Sequence, residues 1–166
     1  MKNFLRQSVL FVLLMLAFSI PPAHSQFYFF ENPLVGEESP DFTLSTLLGK
    51  RLTFSQYRGK HPAILFFWAT WCPHCREALK EINKDPSQFE KQGVKLVLID
   101  MGEEKNIVKR YTDKNNIQMD VWLDEASELA EPYALVGMPT FVFVNQDGIV
   151  KEVLHELPDD YLDIVK

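Results

Sequence analysis

Along the chain, apolar and polar positions alternate between two patterns. Ala63-Ile64-Leu65-Phe66-Phe67-Trp68 is a continuous apolar run of strand length, and Val94 to Ile99 is a second. Such runs predict strands buried on both faces, as parallel strands covered by helices are. Between them, Cys72 to about Asn83 has helical spacing at Leu79 and Ile82, lacks interior Gly, and is closed off by Pro86. Strand, helix, strand is a crossover unit, which is right-handed almost without exception. Upstream, Phe42–Leu44 and Leu52–Phe54 alternate around the turn signal Gly49-Lys50 and predict a hairpin.

Downstream, a helix is expected from about Glu103 to Lys114 with Ile107, Val108 and Tyr111 as its buried stripe. A brief strand at Val121–Leu123 and a short helix at Ser127–Tyr133 should follow. Thr140–Val144 is another buried strand, turned by Asn145-Gln146-Asp147-Gly148 into a strand over Ile149–Leu154, and Asp159–Lys166 is a short amphipathic helix. The predicted fold class is α/β: a central mixed β-sheet with helices on both faces and an N-terminal β-hairpin extension.

The first residues follow a different plan. Lys2 and Arg6 precede an apolar run from Val9 to Phe18, and a small-residue stretch ends at Ala23-His24-Ser25. This is the layout of a secretory signal. The run is about half of the roughly 20 residues a spanning helix needs. Cleavage before Gln26 is expected, with an uncleaved anchor extended by Phe27–Phe30 as the alternative. The expected organisation is a signal over 1–25, an arm over 26–37 and one domain over 38–166, exported to the periplasm or its extracytoplasmic equivalent. Hydrophobic content of 46% places the chain among globular proteins. Removing residues 1–25 takes away two basic residues and no acidic one, leaving a chain more acidic than the formal net charge of -6. That balance argues against a nucleic-acid partner. The sequence carries no sign of an oligomeric state.

The candidate chemistry is concentrated in Trp71-Cys72-Pro73-His74-Cys75, where a buried strand gives way to a helix and where both cysteines of the chain lie. Free N–H groups and the positive end of the helix dipole favour an anion there. The thiolate of Cys72 would be that anion and the attacking species, with Cys75, one turn inside, as the resolving thiol. Pro73 suits the first helical position, and an imidazolium at His74 would stabilise the thiolate further. Thiol tuning matters, because the roughly 150 mV between thioredoxin and DsbA is worth about 7 kcal/mol. As half of a zinc site the pair lacks partners, since only His61 and His155 remain outside the motif and signal. As a structural staple it would close so short a loop that it gains only about 2 kcal/mol, against about 4.7 for a hundred-residue loop. The expected redox group is the Cys72–Cys75 disulfide itself, with no cofactor.

The order of these motifs resembles the thioredoxin superfamily, and within it the TlpA/ResA type of exported thiol-disulfide oxidoreductases. The matching residues are Pro40-Asp41-Phe42-Thr43-Leu44, Gly49-Lys50 with Leu52, Gly59-Lys60, Phe67 to Cys75, Gly93-Val94, Gly137-Met138-Pro139-Thr140 and Asp147-Gly148. The resemblance implies that Pro139 is cis and stands beside the disulfide, and that the Met138 backbone pairs with an extended substrate segment. Trp71 is expected on the contact surface and Trp68 in the core. Protein thiols or disulfides are the implied substrates, with a membrane redox partner and a role in cytochrome c maturation or disulfide repair.

Two positions depart from the family. The Glu commonly found three residues after the second Cys is Ala78 here, and the acid that thioredoxin carries six residues before the first Cys is Phe66. Glu77 is a neighbour whose simpler reading is a solvated charge. The dipeptide Pro73-His74 is that of DsbA-type oxidants, so oxidation stands as the alternative to reduction. A copper or zinc carrier using Cys72, Cys75 and Met138 is the alternative of another class.

Overall fold

The computed structural model describes residues 32–166. The expected export signal, its uncleaved alternative and the aromatic stretch Gln26–Phe30 lie outside the described residues. Seven strands form one mixed sheet: β1 (Thr43–Thr46), β2 (Arg51–Thr53), β3 (Ala63–Trp68), β4 (Lys95–Met101), β5 (Val121–Asp124), β6 (Thr140–Val144) and β7 (Val150–Leu154). Their order is β2-β1-β5-β4-β3-β6-β7, with β3, β4 and β5 parallel and the remaining pairs antiparallel. The parallel centre coincides with the two continuous apolar runs, since a strand covered on both faces has no polar side. The helices are α1 (Phe54–Arg58), α2 (Pro73–Ile82), α3 (Ser87–Lys91), α4 (Lys105–Asn115) and α5 (Tyr161–Ile164).

The two-residue period of the strands sorts their side chains onto two cores. On one face Ile64, Phe66 and Trp68 of β3 meet Leu98, Val121, Leu123, Phe141 and Phe143, and α2, α3, α4 and α5 close it with Cys75, Leu79, Phe89, Val108 and Tyr161. On the other face Leu65 and Phe67 meet Val97, Ile99, Trp122, Val142 and Val144, covered by Phe54 of α1 and by Leu129 and Tyr133. Each of these large side chains contributes about 1.5–3 kcal/mol by leaving water.

Several local expectations are corrected. Phe54, expected at the end of the second hairpin strand, instead opens α1. Asp41 makes that possible by taking hydrogen bonds from Ser55 N at 2.8 Å and Ser55 Oγ at 2.7 Å. The helix expected over Ser127–Tyr133 is a run of turns: Ser127 and Ala134 have positive φ, Pro132 lacks an N–H, and Asp124 holds Glu128 N and Leu129 N at 2.9 Å each. On α4 the buried stripe is Val108 and Thr112, and Ile107 faces outward, because one helix packed on a sheet buries a narrow face. A further short helix, α3, was not anticipated, and the C-terminal helix is one turn only. Residues before β1 join the sheet's far edge through a bridge between Glu38 and Ile149.

Candidate active site

The end of β3 delivers the chain through Ala69-Thr70-Trp71 into α2, and Cys72 is the residue that caps this helix. Its backbone is still extended, with φ -81° and ψ 114°, and Pro73 occupies the first helical turn. Cys72 and Cys75 form a disulfide with their Cα atoms 5.2 Å apart. Cys72 Sγ accepts a hydrogen bond from Cys75 N at 3.2 Å, so a backbone N–H at the start of the helix already points at this sulfur. A thiolate there gains from that donor and from the helix dipole. Cys75 is the more deeply buried of the two, with no exposed surface.

The loop before β6 closes the other side. Met138–Pro139 is a cis peptide bond, and the Met138 carbonyl oxygen lies 3.7 Å from Cys72 Sγ. Thr140 Oγ1 donates to Gly137 O at 2.7 Å, and His155 Nδ1 donates to Pro139 O at 2.7 Å. His155, weighed from the sequence only as a leftover metal ligand, is thus a brace for this loop. No local pattern marks it, because its partner lies sixteen residues away in the loop before β6. Trp71 is 63% exposed beside the disulfide, and Trp68 is fully buried, as expected of a core residue. His74 projects into solvent, with Nδ1 3.7 Å from Glu77 Oε2.

Neither family acid is replaced in its own place. Ala78 is half-buried on α2, and Phe66 is fully buried and stacked on Phe141 with ring centroids 4.4 Å apart. Two acids that the sequence reading did not single out stand nearby at the end of β4. Glu103 is buried and holds Thr70, accepting from its N–H at 2.5 Å and its hydroxyl at 2.7 Å. Arg76 of α2 donates to Thr70 O at 3.2 Å, so the segment leading into Cys72 is held from both sides. Asp100, buried beside Trp68, has its carboxyl pKa pushed up to about 9, first by burial and then by the charge of Glu103. An inward-facing acid two residues after Leu98 in an apolar strand was the available signal.

A groove of about 880 Å³ runs beside the disulfide between α2, the cis-proline loop and the C-terminal segment, lined by His74, Ala78, Met138, Pro139, His155 and Leu157 among others. Val136, at its edge, is 90% exposed. Among the described residues no group of three or more His, Cys, Asp or Glu side chains is placed to hold a metal ion.

Comparison with known proteins agrees with this geometry. The AhpC/TSA family matches residues 35–153. The thiol-disulfide oxidoreductase ResA of Geobacillus thermodenitrificans is 30% identical over 120 residues, covering 72% of this chain and 68% of that protein. ResA of Bacillus subtilis is 28% identical over 170 residues, covering 99% of this chain and 94% of that protein. Among solved structures, StoA from Bacillus subtilis superposes with a TM-score of 0.66 at 22% identity, covering 81% of this chain and all of that one.

Proposed function

The chain belongs to the AhpC/TSA family and is a thioredoxin-like thiol-disulfide oxidoreductase of the TlpA/ResA type. On that premise we propose that Cys72 is its attacking thiol and Cys75 its resolving thiol. The observation that carries this assignment is the placement of Cys72 Sγ at the start of α2, with a backbone N–H donating to it and the Met138 carbonyl beside it. In the reduced protein the Cys72 thiolate attacks one sulfur of a substrate disulfide. A mixed disulfide forms, and the other substrate sulfur leaves with the electron pair and takes a proton. Cys75 then gives up its proton and attacks Cys72 Sγ, which closes the Cys72–Cys75 bond and releases the reduced substrate.

The substrate is an extended protein segment that adds as a strand along the backbone of Met138, with Pro139 closing the site and Trp71 supplying apolar contact surface. Pro73 sets the first turn of the helix, and His74 adds positive charge near the sulfur when protonated. The protein is exported, with residues 1–25 as the signal or an anchor, and works as a reductase resupplied with electrons by a membrane partner, in cytochrome c maturation or disulfide repair. The Pro73-His74 dipeptide supports a second reading, an oxidant working in the opposite direction.

Cys75→Ser is expected to accumulate a covalent complex on Cys72 that dithiothreitol releases, and Cys72→Ser is expected to accumulate none. Absence of any trapped species in either redox state refutes the assignment. Equilibration of the wild type with glutathione decides direction: a potential above about -180 mV favours the oxidant.

A further inference from the structure

Asp100 lies on the same face of the sheet as the cysteines. Leu98, two residues before it in β4, belongs to the core that contains Cys72, Cys75, Trp68 and Val108, and the strand period turns Asp100 the same way. Its register partners, Trp68 on β3 and Leu123 on β5, belong to that core too. The residue has no exposed surface. Among the described residues, both Asp100 carboxyl oxygens and Trp68 Nε1 are buried without a well-formed hydrogen bond, although the side chain and backbone N–H of Glu103 stand close enough to act on the Asp100 carboxyl. Buried polar atoms without a well-formed partner are costly and call for an explanation.

The groups around Asp100 define its charge. Glu103, from the turn after β4, and Asp124, at the end of β5, both disfavour its ionisation, against a smaller opposing effect of the Glu103 backbone N–H. Tyr111 of α4 packs on Trp68, the neighbour of Asp100 on β3, with ring centroids 5.7 Å apart, and lies near Arg76 of α2, whose guanidinium is turned to Thr70 O. The buried Cys75 of α2 belongs to the same core as Trp68 and Leu123, the strand neighbours of Asp100. A carboxyl so placed stays neutral at pH 7, and as a neutral acid it can donate to the Glu103 carboxylate that holds Thr70, two residues before Cys72.

We propose that Asp100 is a positioning residue of the redox couple: it keeps a proton against Glu103 in the disulfide form and keeps it more tightly once Cys72 is a thiolate. The inference rests on thiol-disulfide exchange at Cys72 and Cys75. Reduction by a dithiol donor adds two electrons to the sulfur pair, breaks the Cys72–Cys75 bond and leaves Cys72 as thiolate and Cys75 as thiol, while the donor closes its own disulfide and gives one of its two protons to Cys75 and the other to solvent. When Asp100 begins ionised, it takes up one additional proton from solvent in the same transition. Linkage makes the effect reciprocal: the thiolate hinders loss of the Asp100 proton, and an ionised Asp100 hinders formation of the thiolate.

The test is the equilibrium of the full chain with dithiothreitol from pH 7 to pH 10, for wild type and Asp100→Asn. In the alkaline part of this range the wild-type equilibrium constant should shift relative to the variant by up to tenfold per pH unit, or 29.6 mV for a two-electron couple. Parallel curves overturn the proposal. Infrared difference spectra, oxidised minus reduced, should show the carbonyl stretch of a protonated carboxyl that moves on reduction and is missing from Asp100→Asn. Lack of that band in the wild type at pH 7 overturns the proposal even if the variant does not fold. A wild type with no reversible potential instead overturns the exchange chemistry itself, and this inference with it.

Discussion

Replacing Asp100 by Asn should change how the stability of the oxidised protein depends on pH. In the unfolded chain an aspartate titrates near 3.9, whereas in the folded protein this carboxyl is raised to about 9. Between those values the folded state holds a proton that the unfolded state has lost, so stability falls as pH rises through that window and is unpenalised below it. Each pH unit is worth about 1.4 kcal/mol. From pH 5 to pH 8 the wild type should therefore lose about 4 kcal/mol that Asp100→Asn retains. Asp100 is completely buried, so solvent does not screen this figure away. The fixed cost of placing an amide in the same site is equal at every pH and drops out of the comparison. Urea unfolding with the disulfide intact, at pH 5, 6.5 and 8, measures the difference between the two proteins. A difference that stays constant within about 1 kcal/mol across this range refutes the reasoning.

Substitutions at three other positions probe the site from different sides. Glu103→Ala removes the acceptor of both Thr70 hydrogen bonds, and with charge-assisted bonds at about 1.5–3 kcal/mol each the loss should be about 3 kcal/mol in urea unfolding; Glu103→Gln, which keeps an acceptor oxygen, should lose less. Phe66→Ala empties the stack with Phe141 beneath the active-site loop and should cost about 3–5 kcal/mol, visible as a lower denaturation midpoint with unchanged slope. Ala78→Glu restores the carboxylate common in the family to the groove wall, and a like charge beside the sulfurs should move the pH profile of Cys72 alkylation in the reduced protein to higher pH; an unmoved profile shows that position 78 does not reach the thiols.

The central strands were readable from the chain because their signal is local. Ala63–Trp68 and Thr140–Val144 occupy the predicted residues, and the β-branched and aromatic runs mark strands covered on both sides. The redox pair was readable too, since a helix start, a proline at its first position and two cysteines one turn apart are all adjacent in sequence. What escaped depends on partners distant along the chain. Asp41 starts α1 by holding Ser55, Asp124 replaces a helix with turns by holding Glu128 and Leu129 against the strand end, and His155 braces Pro139 from just beyond the end of β7.

Asp100 and Glu103 make the same point in the site itself. Periodicity says that position 100 turns inward, but it does not say that Trp68 and Leu123 will flank it or that Glu103 will reach Thr70. Hydrophobic pattern is a property of neighbours in the chain and decides which elements form. The charge state of a buried acid is a property of neighbours in space, and it exists only after β3, β4 and β5 have paired in register.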